Sequence, residues 1–260
     1  MLIFFFNKEG STIHTLKAKV IFLLLAILPL GIQSCIEEMD ECLSRTGKKT
    51  EQVYALDPFS QIEVNDGIRV RLFSSTEQRA VVRAGKNVIT QISLHVSEGK
   101  LTIHDNNRCD WTRRHEEREV LLYVPQLSLI RQNGYGRIST DDTLQVDKLQ
   151  IEARQGSGSI DLKLKADEIT VVSSRYGTIS LEGEADRLHV QYLSNNAIFE
   201  GRHMKAKEVK VFQKSNNHFH LYPEGLLNGK LLRRGNIYLY HPPELTDVEI
   251  TGSGKIIPVY

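Results

Sequence analysis

From about residue 51 to the C-terminus, apolar and polar residues alternate with a period of two in short runs. QIEV at 61–64, GIRVRLF at 67–73, KLTIH at 100–104, SIDLKL at 159–164 and LHVQY at 188–192 are typical. Alternation puts one set of side chains on each face of a strand, so the pattern predicts β-strands. No long amphipathic helical pattern occurs here, and no Pro- or Gly-rich linker divides the region. One continuous β structure is expected.

The runs also repeat. GYGRIS begins at 134, GSGSID at 156, RYGTIS at 175, NNAIFE at 195, NNHFHL at 216, RGNIYL at 234 and GSGKII at 252. Their turn marks are Gly136, Gly158, Gly177, Asn196, Asn217, Gly235 and Gly254, at intervals of 22, 19, 19, 21, 18 and 19 residues. Two positions after each mark stand Ile138, Ile160, Ile179, Ile198, Phe219, Ile237 and Ile256. Gly and Asn tolerate positive φ, so each mark reads as a left-handed corner. A unit of about 20 residues cannot bury its own apolar face, but stacked units bury each other's. The expected fold is therefore all-β, a parallel β-helix or β-solenoid of about 20-residue coils. The less regular strands of 51–130 are expected to form an irregular β N-terminal cap region. A sandwich of hairpins would have no need for one turn chemistry at a fixed offset from an isoleucine. Gly156-Ser157-Gly158 leads into a strand rather than a helix, which makes it a corner and not a phosphate cradle.

The N-terminus departs from this pattern. Lys17 and Lys19 precede an apolar run of 11 residues, Val20 to Leu30. That is too short to span a bilayer, which takes roughly 20 apolar residues, but it suits a signal-peptide core. The run ends in Gly31-Ile32-Gln33-Ser34-Cys35, which resembles a bacterial lipobox with Gln33 as its unusual member. This resemblance implies lipidation of Cys35 and attachment to a membrane through that lipid. The acidic residues that follow, Glu37, Glu38, Asp40 and Glu41, resemble an export signal to the outer face of the outer membrane. The expected organisation is a lipoprotein-type signal peptide at 1–34, a tether at 35–50 and a β-helix domain at 51–260. Removing residues 1–34 takes away three basic groups and one acidic group, leaving 30 and 31 and a net charge of −1. A near-neutral chain without basic blocks gives no reason to expect a nucleic-acid partner.

FSQIEVNDGIRVRLF, AGKNVITQISLHVSEGKLTIHDNNRCDW, GSGSIDLKL and VEITGSGKI resemble the family described as putative auto-transporter adhesin, head GIN domain. The resemblance covers roughly residues 50 to 258. It implies a secreted or lipid-anchored bacterial protein built of Gly-Ser-Gly β repeats, with an adhesive role. No binding residues come with it. Asn195-Asn196 and Asn216-Asn217 depart from the family's Gly-Ser-Gly.

Catalytic chemistry is hard to place. A polysaccharide lyase or hydrolase on a β-helix needs converging carboxylates. Asp141, Asp142, Asp161, Glu182 and Glu184 sit at unequal offsets from their turns, so no acidic ladder is expected. His218 and His220 share a strand face but lack an evident third metal ligand, since His241 falls outside their column. The segment 104–119 holds the lone tryptophan, Trp111, with Arg113 and Arg114 beside it. Such residues suit a binding hot spot, or an end cap for the stack. Of three cysteines, lipidation removes Cys35, leaving Cys42 and Cys109 as a disulfide pair in an oxidising compartment.

These readings converge on a non-enzymatic, lipid-anchored cell-envelope protein at the bacterial outer membrane, acting as an adhesin-like or binding scaffold. Its expected partners are the membrane, through Cys35, and a glycan or envelope protein. No catalytic residue, cofactor or metal is assigned. The competing expectation is a polysaccharide-acting lyase or hydrolase on the same fold.

Overall fold

The computed structural model describes residues 46–107, 118–174, 176–193 and 197–260. Cys35, Cys42, Cys109, Trp111, Arg113, Arg114 and Asn196 lie outside the described residues, and with them the lipidation, disulfide and tryptophan expectations.

The fold is a parallel β-solenoid. Its first strands are β1 (Lys49–Ala55), β2 (Gln61–Val64), β3 (Arg69–Ser74), β4 (Arg79–Gly85), β5 (Ile92–Ser97) and β6 (Lys100–Asp105). Then come β7 (Glu119–Val124), β8 (Leu129–Gln132), β9 (Arg137–Thr140) and β10 (Leu144–Ala153). The long strands β11 (Ser159–Ser173), β12 (Gly177–Tyr192), β13 (Ala197–Gln213) and β14 (Phe219–Leu231) form the body. The stack ends in β15 (Ile237–Leu239), β16 (Leu245–Ile250) and β17 (Ile256–Pro258).

The coils do not stack in chain order at the N-terminal end. Strand β2 pairs in parallel with both β6 and β8, and β3 with both β7 and β9. The β2–β3 coil, first in sequence, therefore lies between two later ones. Beyond β6 and β7 the pairing turns antiparallel: β5 lies on β6, β4 on β7, and β1 on β4. These three strands are the cap, and they cover backbone edges that an open coil would expose.

Stacking is in register, so like meets like. Val70, Ile138, Ile160, Ile179, Phe199, Phe219 and Ile237 form one column of neighbours, and every one is buried. Two sequence expectations are corrected here. Ile198 was placed in this column, but Phe199 occupies it and Ile198 is 37% exposed. Gly177 faces Ala197, so the corner after Tyr192 is one residue longer than its neighbours. The second correction concerns conformation. Of the described marks, only Gly177 has positive φ, at +122°. Gly136, Gly158, Asn217, Gly235 and Gly254 are not left-handed.

The corners need glycine because of proximity. A Cβ on Gly136, Gly158, Gly177, Gly235 or Gly254 would lie under 3.0 Å from a backbone carbonyl oxygen of the adjacent coil. Each corner rests directly on the next. Buried side chains brace the same corner from inside: Gln132 Nε2 donates to Gly136 O at 2.8 Å, and Gln213 Nε2 to Asn217 O at 2.7 Å. At the matching position one coil from Gln213, Tyr192 Oη donates to Ile198 O at 2.9 Å.

A partly buried ion-pair ladder ties together the coils laid down out of order. Glu63 on β2 accepts from Lys100 on β6 and Arg131 on β8, each at 3.2 Å. Arg131 also reaches Glu152 on β10 at 2.7 Å, and Arg154 adds a contact at 2.9 Å. The Glu152 side chain is only 2% exposed. Burial alone would raise its carboxyl pKa, but hydrogen bonds from Arg131 and Arg154 outweigh it and hold the value below the ordinary 4.5. A carboxyl depressed in the fold stabilises above its unfolded value, and that stability drains away as pH falls through the folded value. Urea midpoints should therefore drop between about pH 6 and about pH 3, and drop less in Glu152→Gln. Equal drops in both proteins would exclude Glu152 as a source of acid sensitivity.

Candidate functional site

Each coil has two arms joined by two corners. In β11 the first arm runs from the glycine corner to Asp167, and the second from Glu168 to Ser173. Because inward positions alternate with outward ones, the first arm carries fixed columns of solvent-facing side chains. One column reads Ser139, Asp161, Ser180, Glu200, His220, Tyr238 in successive coils. The adjacent column reads Lys163, Glu182, His203.

Small residues in the middle of the first column leave a groove of about 580 Å³. Ser139 and Ser180 alternate along it with Asp161 and Glu200, and Arg137 and Arg202 also line it. Arg137 Nε meets Asp161 Oδ2 at 2.8 Å, and Ser159 Oγ donates to the same oxygen at 3.1 Å. Arg202 donates to Glu200 Oε2 through Nη2 at 2.7 Å and Nε at 3.1 Å. Its guanidinium lies 5.3 Å from the Tyr240 ring centre. Asp141, beyond the groove, is bonded to Arg71.

Toward the C-terminal end the groove gives way to rings. His220 and Tyr238 stack at 5.1 Å with 14° between their planes, because they are register partners one coil apart. Tyr222 stacks on His241 at 4.9 Å. His220 Nδ1 lies 3.0 Å from Tyr240 Oη, and its Nε2 lies 3.6 Å from Glu200 Oε1. Burial lowers the His220 pKa, as do the neighbouring Arg202 and His218, against the pull of Glu200. His220 is therefore neutral at pH 7. His218 Nδ1 accepts from the Asn236 N–H at 3.0 Å. Among the described residues no three His, Cys, Asp or Glu side chains gather into a metal-binding group.

The expectation that no acidic ladder exists is overturned elsewhere. Asp147, Asp167 and Asp186 occupy the second corner of three successive coils. Lys207 holds the same corner in the next coil and meets Asp186 at 2.7 Å, which lowers that carboxyl's pKa. Asp167 and Asp186 both lie nine residues after their glycine marks, but Asp147 lies eleven after Gly136, because the 136–158 coil carries two extra residues between Thr140 and Leu144. The same one-residue slip that misplaced Ile198 kept Glu200 out of the groove column. Counted from Ala197, Glu200 falls at the third position, like Asp161, Ser180, His220 and Tyr238 in their own coils.

A family model described as putative auto-transporter adhesin, head GIN domain, matches residues 58–243. No curated protein matches the chain in sequence. Crystal structures that share its fold include the following three. A protein named a putative adhesin from Bacteroides fragilis has a TM-score of 0.76 at 18% identity, covering 83% of this chain and 100% of that one. A putative adhesin from Parabacteroides merdae has a TM-score of 0.64 at 16% identity, covering 84% and 99%. A protein from Parabacteroides distasonis named a putative lipid binding protein has a TM-score of 0.62 at 17% identity, covering 84% and 100%.

Proposed function

This chain belongs to the putative auto-transporter adhesin, head GIN domain family, and from that premise we propose that it is a non-enzymatic, adhesin-like binding scaffold. Lipid on Cys35 holds it at the outer membrane, with the solenoid displayed outward. The observation that carries this reading is the first-arm groove, where polar side chains are fixed on a rigid sheet and two of its three acidic ones, Asp161 and Glu200, are bound by arginines. Rigid elements present a binding surface with little ordering cost.

The enzyme reading has less support. A hydrolase needs one carboxyl group that delivers a proton and another free to attack or to activate water. Asp161 is committed to Arg137 and Ser159, and Glu200 to Arg202, which leaves Glu182 without a second uncommitted carboxylate in the groove. A lipid ligand fits poorly too, since charged side chains line the groove and core side chains fill the interior of the coils.

Two experiments test the proposal. Cys35→Ala should leave the protein unprocessed or move it out of the membrane fraction; continued acylation and membrane retention would disprove the anchor. Cells displaying the wild-type chain should attach to glycan-coated or protein-coated surfaces several-fold better than cells carrying Cys35→Ala. Equal attachment would disprove the adhesive role.

A further inference from the structure

We infer that the first-arm groove binds an uncharged, extended polysaccharide. The inference rests on the scaffold reading above and names the ligand class of that site.

Charge balance excludes the alternatives first. Three cationic side chains, Arg137, Lys163 and Arg202, face three anionic ones, Asp161, Glu182 and Glu200. A phosphate, a uronate chain or an acidic protein is drawn to surplus positive charge, and this groove has none. A protein partner needs aromatic or aliphatic anchors entering a desolvated pocket. Here the aliphatic lining, Leu162 and Leu181, is already buried in the core, so the groove offers mainly serine and charged side chains. The nearby rings of His220 and Tyr238 stack on each other, so each already covers a face of the other.

The hydrogen-bonding chemistry then selects hydroxyl groups. A carboxylate offers about four acceptor sites and a guanidinium five donors. Both Arg202 bonds reach Oε2 of Glu200, and the pair's remaining donors and acceptors are fixed side by side in the half-exposed groove. A donor next to an acceptor matches vicinal hydroxyls, each of which both gives and receives a proton. Arg137 with Asp161 repeats the arrangement two coils away. Strand spacing puts such positions roughly 9.5 Å apart along the stack, the order of a disaccharide's length. The two charged pairs therefore address alternate sugar units of one chain lying along the groove.

The test uses purified full-length protein in affinity electrophoresis against a soluble β-glucan, a mannan, polygalacturonate and gelatin. At least one of the two neutral polysaccharides should bind, with little change as salt rises from about 0.05 to about 0.5 M. Ser180→Trp, which fills the groove from its solvent side, and Arg202→Ala should each weaken that binding at least about tenfold, the scale of one strong hydrogen bond. Both variants should keep the wild-type melting temperature, which shows that the fold survives. Binding confined to polygalacturonate or gelatin overturns the inference, as does neutral-glycan binding that both variants leave intact. If neither neutral polysaccharide binds while displaying cells still attach, the ligand class is wrong and the scaffold stands. Loss of attachment as well would remove both.

Discussion

Gly158→Val should cost at least about 2 kcal/mol, because extra atoms forced into a packed site cost ~1–3 kcal/mol and here they meet backbone. A Cβ at this position would collide with Gly136 O, Gly134 O and the Nε2 of Gln132. The side chain could yield, but the carbonyls belong to the neighbouring corner and move only if that coil moves. The damage should thus spread through the stack as reduced cooperativity in thermal unfolding. Ser157→Ala, at an exposed neighbour, should stay within about 0.5 kcal/mol. Comparing Ala with Asn at 158 separates crowding from backbone conformation. If the corner required positive φ, Asn would be better tolerated than Ala. Crowding predicts that Asn is at least as harmful, and a milder Asn would contradict the packing account.

Phe219→Ala should lose about 3–5 kcal/mol, the range for truncating a buried aromatic. Phe219 is fully buried between two other rings. Its centroid lies 4.7 Å from Tyr192 and 5.9 Å from Phe199, both at steep interplanar angles. Such edge-on pairs add to the burial itself. Ile160→Ala, in the same column, should lose about 2–5 kcal/mol. Ile198→Ala should lose no more than about 0.5 kcal/mol, since that side chain faces solvent. Chemical denaturation of the three variants reads the register directly. A large loss at 198 with a small one at 219 would mean that the column is misassigned.

Much of this architecture is legible in the sequence because the interior of a solenoid is monotonous. An inward residue meets its counterpart one coil away, so Ile138, Ile160 and Ile179 recur at near-constant spacing. Solvent-facing positions have no such obligation. Ser139, Asp161 and Glu200 differ in chemistry while sharing one column, and only the register reveals that they are neighbours. The longer corner before Ala197 leaves no compositional trace, and a slip of one residue exchanges inward for outward. The order of the first coils is equally silent. Both edges of the β2–β3 coil offer the same backbone groups, and the sequence does not say that β6 takes one edge and β8 the other. The glycine corners were visible, but not their cause. The same residue answers to positive φ and to close approach, and coordinates were needed to separate the two.

The central claim is binding without chemistry, and a turnover assay on the bound polysaccharide tests it most directly. The neutral polysaccharide retained by the full-length protein should be incubated with it for many hours, then analysed for new reducing ends, for unsaturated sugar absorbance and for chain length. The account predicts a polymer of unchanged length, recovered intact from the complex. Shortened chains, with either kind of new end, that disappear when Asp161 or Glu200 is replaced by its amide would show that the groove is an active site.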